Sequence, residues 1–479
     1  MVEHRSEAGD RSRWSRLARW RRRRAAALRP RLRRLVSWGK PPQLTAGAFG
    51  VTIALGTALL WLPASTAEGV APAFVTALFT ATSAVCVTGL IVVDTPGYWS
   101  GFGEGLVLAL IQVGGLGIMS LATVLSLLVT RRLRLAMQVR AGSETRSLTL
   151  GEVRQLVTGI VLVSAACEAV LAAVLSVRLW AGYGEPAGRA LHLGVFHAVS
   201  AFNNAGFALY SDSLERFATD PWITVPVAVG VVAGGLGFPV WVELWRHARR
   251  RREQHHWSLH AKLTLATTAV LLVVGFAAFL LLEWDNPKTM GPLDVPGKLL
   301  TAFFQAVMPR TAGFNTLPFG DMHSQTLFVT DMLMFVGGGS AGTAGGIKVT
   351  TFALLAFIIY TNIRGESSVH IAGRRLSTGV AEQAITVLTL AIGLVFLSTF
   401  CLLVLTTFAL DRILFEAVSA FSTVGLSTGI TADLPPAGEL ILVFLMFTGR
   451  IGPITLASAL ALRTRVRRFE LPDERPIVG

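Results

Sequence analysis

Apolar residues run along the chain in blocks of roughly 20 or more, enough to cross a ~30 Å hydrocarbon layer as helix. Eight such blocks lie near 43–63, 104–130, 155–181, 221–245, 261–283, 327–361, 380–409 and 437–462. A membrane β-barrel would instead alternate over stretches of about ten residues. Between the members of each successive pair sits an apolar segment too short to cross, at 72–85, 188–202, 297–309 and 411–421. A half-length helix followed by irregular chain is tolerated at membrane depth only where it lines a cavity or is buried in protein. The pattern predicts an all-α polytopic membrane protein. Eight transmembrane helices and four re-entrant helices are expected, in four repeats of span, half-helix, loop and span around one pore.

The repeats are expected at 43–130, 131–246, 247–361 and 362–462, between a basic arm at 1–42 and a tail at 463–479. Composition agrees: 52% of residues are hydrophobic and 15% charged, against about 25% charged in soluble domains. The net charge of +14 invites a nucleic-acid reading, but its placement argues against one. Basic residues crowd the segment before Lys40, then Arg131–Arg140, Arg246–Arg252, Arg364–Arg375 and Arg463–Arg468. The loops between carry Asp94, Glu185, Asp212, Glu215, Asp220, Asp285, Asp294, Asp321 and Asp433. Such alternation predicts basic loops and both termini in the cytoplasm of a multi-pass protein, with membrane lipids as partners and no nucleic acid.

The short segments share a motif. They end FTATSAVCVTGL (79–90), FHAVSAFNNAGF (196–207), FFQAVMPRTAGF (303–314) and FEAVSAFSTVGL (415–426). Gly89, Gly206, Gly313 and Gly425 stand in register, each with a phenylalanine ten residues upstream (Phe79, Phe196, Phe303, Phe415). Six upstream are Ser83, Ser200 and Ser419, with Val307 in the third copy. A cation crossing a membrane must exchange water for other oxygens, and converging loops can supply rings of backbone carbonyls. The C-terminal ends of four helices would add partial negative charge. Glycine suits a backbone that must turn its carbonyls to one side. Short residues precede it: Val87-Thr88, Asn204-Ala205, Thr311-Ala312 and Thr423-Val424.

These loops resemble the selectivity filter of the Ktr/Trk/HKT superfamily of potassium transporters, with the KtrB-type membrane subunit as the nearest pattern. SAFNNAGF and PRTAGFN carry the likeness best. The resemblance implies potassium uptake, with potassium held by filter carbonyls, and glycine in all four copies goes with potassium over sodium. A sodium or unselective monovalent cation transporter is the alternative. Sodium is a candidate activator.

The sixth block is interrupted by VGGGSAGTAGGIKVTTF (336–352). Glycine at this density opposes helix by about 1 kcal/mol per residue relative to alanine, so the middle of this span should unwind. The resemblance implies an intramembrane gating loop built from Gly337, Gly338, Gly339, Ser340, Gly342, Thr343, Gly345, Gly346 and Lys348. Arg450, in FTGRIGPIT, would be its partner or a barrier near the pore. A nucleotide loop is disfavoured, because both flanks are apolar spans and the Gly-Lys-Ser/Thr triplet is missing. Arg310 is either a filter collar held by a carboxylate or a surface arginine, and Asn203 and Asn204 either brace the filter or cap a helix. Gly114, Gly115 and Gly117 read as close helix packing. No HExxH motif suggests an enzyme, and no covalent cofactor is expected. The resemblance further implies a homodimer on a cytosolic RCK-type ring, with nucleotide bound to that partner only.

Overall fold

The computed structural model describes residues 41–117, 120, 150–249, 257–365, 369–371, 374–375 and 378–452. The chain divides into two units, Phe49–Ile454 and a second made of Met1–Ala48 with Thr455–Gly479. Of the second unit only 41–48, the start of a helix, are described. The basic arm, the basic stretch at 131–140, the tail and the distal ends of the second and eighth expected spans lie outside the described residues.

Four short helices carry the repeated motif: Phe74–Val85, Ala187–Phe202, Val295–Val307 and Leu410–Ser422. At 12 to 16 residues they are about 18–24 Å long, shorter than a hydrocarbon layer. Their C-terminal halves are almost wholly buried, with Phe79, Phe196, Phe304 and Phe415 sealed at the centre. Each is followed by irregular chain and then by another helix.

Among the described residues, three helices have an apolar stretch long enough to cross a membrane: Val157–Tyr183, Leu259–Glu283 and Gly379–Leu405. Pro221–Leu236 and Phe238–Ala248 make a fourth if taken together, but they bend by 102°. The bend falls at Gly237, whose φ of 88° is in the left-handed region. A Cβ there would meet the carbonyl oxygen of Ser340, 2.6 Å away, so glycine is needed for both space and conformation. The sixth apolar block divides in two. Helix stops at Phe335 and resumes at Val349, and the glycine-rich chain between them is irregular. In the remaining blocks, helix is described over Pro41–Leu60, Gly101–Gly117 and Pro436–Ile451. His370–Ile371 and Arg374–Arg375 form a short antiparallel strand pair.

Three helix starts among the described residues carry a side-chain cap. Ser258 accepts from Ala261 N (3.1 Å) and Asp294 from Gly297 N (3.0 Å). Asp220 accepts from Trp222 N (2.9 Å), and its other oxygen receives Arg178 Nε (2.8 Å) and the Tyr183 hydroxyl (2.9 Å). One carboxylate thus starts one helix and ties it to the end of another. Asp220→Ala should destabilise the protein by about 1 kcal/mol through the lost cap alone, while Asp220→Asn, which keeps an acceptor there, should fall between. Thermal unfolding of the purified variants in detergent checks the order.

Candidate functional site

The four loops close into a ring. A Cβ built on Gly89 would overlap the carbonyl oxygen of Ala205, and one on Gly206 would lie 2.7 Å from that of Ala312. One on Gly313 would lie 2.6 Å from that of Val424, and one on Gly425 would overlap that of Thr88. Each glycine therefore faces the carbonyl of the residue before the next glycine, and the fourth loop returns to the first.

The backbone repeats as closely. Gly89, Gly206, Gly313 and Gly425 have φ of 94°, 71°, 75° and 89°. Two residues earlier, Val87, Asn204, Thr311 and Thr423 have φ of 54°, 60°, 71° and 51°. A left-handed, non-glycine residue is thus built into every loop, and for β-branched Val and Thr this costs about 1–3 kcal/mol each. Thr88, Ala205, Ala312 and Val424 lie between, fully buried. Such a ring can offer carbonyl oxygens to a dehydrated cation.

Hydrogen bonds hold the strained turns. Thr88 N, Ala205 N and Val424 N donate to the carbonyls of Ser83, Ser200 and Ser419 at 2.7–2.9 Å. The serine hydroxyls bond the outgoing chain: Ser83 Oγ donates to Leu90 O and Ser200 Oγ to Phe207 O, both 2.8 Å. Gly89 N and Gly425 N donate to Ser83 Oγ and Ser419 Oγ. In the third loop, Ala312 N donates to Met308 O, one residue closer. Phe304 is sealed there while Phe303 is 39% exposed. The alignment through Phe303 and Val307 is therefore corrected. The equivalents are Phe304 and Met308, because the third turn is one residue shorter between helix and glycine.

With that register, one position on each short helix follows the sealed phenylalanine: Thr80, His197, Gln305 and Glu416. Three of them bond the N–H three residues beyond the glycine. His197 Nε2 accepts from Leu209 N (3.3 Å), and its Nδ1 lies 2.7 Å from the carbonyl of Leu193, which fixes the Nδ1–H tautomer. Gln305, with its amide turned to match its neighbours, accepts from Thr316 N (3.3 Å) and Leu317 N (3.0 Å). Glu416 accepts from Thr428 N (2.9 Å) and from the hydroxyls of Ser427, Thr428 and Thr431. The motif reading missed these residues because their types differ; only the shared position could have signalled them.

A cavity of about 420 Å³ opens on the side reached by the outgoing chain, with the four glycines among its lining. Asp94, Asp212 and Glu215 stand around it. Asp212 pairs with Arg216 at 2.7 Å, and Glu215 accepts from Asn315 Nδ2 at 2.7 Å. Burial pushes the Glu215 carboxyl above its ordinary range, against the pull of the Asn315 bond.

The glycine-rich segment lies at the opposite face. Gly339 N donates to Gly235 O (2.8 Å) and Thr343 N to Gly234 O (3.2 Å). The Thr343 hydroxyl is 2.8 Å from the Asn204 carboxamide. Gly345 and Gly346 rest on Ser422 and Thr423, while Gly337 N bonds Ile347 O (2.8 Å) and closes the segment on itself. Gly342 abuts the Gly235 carbonyl. The Ser340 and Thr350 hydroxyls are 3.1 Å apart, Gly338 O accepts from Val349 N, and Lys348 Nζ donates to Ala344 O. Arg450, 6% exposed, donates to Thr343 O and reaches Gly114 O at 3.5 Å. The predicted gate residues are therefore one contact set beneath the ring.

Arg450 also belongs to a second, shorter repeat. Gly114-Gly115-Leu116-Gly117, Gly234-Gly235-Leu236-Gly237 and Gly449-Arg450-Ile451-Gly452 occupy like positions after the first, second and fourth loops. Gly114, Gly234 and Gly449 press on the carbonyls of Val85, Phe202 and Phe421, four residues before each ring glycine. Arg450 fills the place held elsewhere by Gly115 and Gly235.

Two support residues differ from expectation. Arg310 is 4% exposed, which removes the surface reading, yet its described hydrogen bond is to the carbonyl of Leu333 and not to a carboxylate. Asn203 is the helix C-cap, but its side chain binds outward, to Gln112 Oε1 (2.8 Å), Glu168 Oε1 (3.1 Å) and Val199 O. Gln112 in turn donates to both oxygens of Glu168. The cap is a backbone role, the described side-chain bonds of Asn203 reach none of the ring-loop backbone, and Glu168 is a buried partner of Asn203 and Gln112.

A family model described as cation transport protein, TrkH, matches residues 43–464. The chain belongs to the TrkH cation transport family. It is 38% identical over 448 residues to the Ktr system potassium uptake protein B of Bacillus subtilis, covering 93% of this chain and 99% of that protein. The Vibrio alginolyticus protein of the same description is 37% identical, with 92% and 95% covered. The potassium/sodium uptake protein NtpJ of Enterococcus hirae is 33% identical, with 94% and 99% covered. The crystal structure of the potassium transporter TrkH from Vibrio parahaemolyticus matches in fold with a TM-score of 0.69 at 17% identity, over 89% of this chain and 86% of that one. As a member of this family the chain is a membrane transporter and not an enzyme.

Glu416→Ala should leave three hydroxyls and one N–H without their acceptor, at a cost of about 3 kcal/mol. Glu416→Gln, which retains one acceptor oxygen, should lose less. Comparing the two unfolding midpoints checks whether the acceptor, rather than bulk, holds the fourth loop.

Proposed function

We propose that this chain takes up potassium across the cell membrane through the four-loop ring, acting as a selectivity filter. Its filter residues are Val87, Thr88 and Gly89, with their counterparts Asn204–Gly206, Thr311–Gly313 and Thr423–Gly425. The observation that carries this reading is the closed succession of glycine and carbonyl contacts around the ring. Two relatives described as potassium uptake proteins support the choice of ion. The architecture is four repeats with eight spans and four re-entrant helices. The acidic cavity is external, where negative charge raises the local cation concentration.

The segment from Gly337 to Lys348, with Arg450, is the gate. Its place beneath the ring and its contacts with Asn204 and Thr423 support that role. Both termini are cytoplasmic, and the basic loops face a cytosolic RCK-type regulatory ring that binds the nucleotide. Two copies form a homodimer, potassium is the substrate, and sodium is a stimulating ion. The second reading, a sodium or unselective monovalent cation transporter, is favoured by the potassium/sodium description of the Enterococcus hirae relative.

Expression in a potassium-uptake-deficient bacterium, with an RCK-type partner supplied, should restore growth at limiting potassium. Gly89→Ser should weaken rescue or make it sodium-sensitive, because any Cβ there meets the Ala205 carbonyl. Absence of rescue despite membrane expression would favour the sodium or unselective reading. Arg450→Ala removes the bond to the Thr343 carbonyl and should raise potassium flux without the partner; unchanged or lower flux in proteoliposomes would count against the gate.

A further inference from the structure

A second cavity, of about 460 Å³, lies between Leu259–Glu283, Ser324–Phe335, Thr378–Leu405 and Leu410–Ser422. Its walls are aliphatic and aromatic, including Leu271, Phe335, Phe352, Phe396 and Val418, with one charged exception, Asp331. Asp331 is 7% exposed, and its Oδ1 has no hydrogen-bond partner among the described residues. The charged groups that bear on it are Glu416 and Asp411, both acidic. Their oxygens are engaged elsewhere, Glu416 by Ser427, Thr428 and Thr431, and Asp411 by Ser324 and Arg412 N. Among the described residues no ion pair to Asp331 compensates that field.

A carboxylate in apolar surroundings is costly unless a positive or donor group meets it, and inside a membrane protein it marks a site. The volume falls in the range of small-molecule pockets. We propose that this groove binds an amphiphilic ammonium compound, its cationic head on Asp331 and its hydrocarbon tail along Leu271, Phe396 and Val418. Acidic neighbours favour a cation over a neutral or anionic amphiphile, and the walls favour a tail over a hydrated inorganic ion. The cavity also touches Val336, where the glycine-rich segment begins, and Phe352, in the helix that follows it. An occupant spans the two ends of that segment and restrains their relative movement. This last consequence rests on the proposed gate, whereas binding itself does not.

Thermal unfolding of the purified full chain with hexyltrimethylammonium, against hexanol of the same chain length, tests binding. The ammonium compound should raise the midpoint and hexanol should not. Asp331→Asn should weaken the apparent affinity about tenfold. Val395→Trp, which fills the cavity from another wall, should abolish the effect and serves if Asp331→Asn does not fold. Equal stabilisation by hexanol, or an undiminished response in both variants, would overturn the proposal. Potassium flux in proteoliposomes separates the two levels: stabilisation without inhibition refutes the link to the gate, and absence of flux in every sample refutes the proposed transport function instead.

Discussion

At the centre of this protein, four lengths of backbone approach so closely that a carbonyl oxygen stands where a side chain would otherwise begin. The approach requires glycine at Gly89, Gly206, Gly313 and Gly425, and it also forces Val87, Asn204, Thr311 and Thr423 into left-handed conformations. A backbone so strained persists only when its surroundings over-determine it. Much of the larger unit can be understood as that determination: serine hydroxyls beneath the turns, buried short helices behind them, and glycine notches pressed on the helix ends.

The support is equivalent around the ring without being identical. An imidazole, an amide and a carboxylate, from His197, Gln305 and Glu416, reach the same N–H in three loops. What matters there is an acceptor at one distance from one backbone, so chemically different side chains serve. The third loop is the exception in length, with Met308 in the place of serine and Arg310 buried against the Leu333 carbonyl. After it, helix is interrupted by the whole glycine-rich segment, whereas after the second loop it bends at Gly237 alone. Fourfold likeness is therefore strict at the ring and relaxed away from it.

Beneath the ring the glycine-rich segment is held by backbone groups more than by side chains. Gly339 and Thr343 bond the carbonyls of Gly235 and Gly234, and Arg450 adds a charged donor to Thr343 O. Backbone bonds of this sort are few and separable, which suits a segment proposed to move. The corresponding positions after the first and second loops, Gly115 and Gly235, carry no side chain, so this charged donor stands once among the three.

The helical membrane class, the four short apolar segments, the register of the four glycines and the interruption at 336–352 were legible in the chain alone. Those features are local, since apolar length, glycine density and motif spacing act through nearby chain. Tertiary structure decided which carbonyl faces which glycine, that Phe304 and not Phe303 is sealed, and that Arg310 meets a carbonyl. It also brought Thr343, Asn204, Gly114 and Arg450 into one contact set from four distant parts of the chain. Such pairings were not legible in advance, because they depend on how helices far apart in sequence pack, and on a one-residue change of turn that no periodicity records.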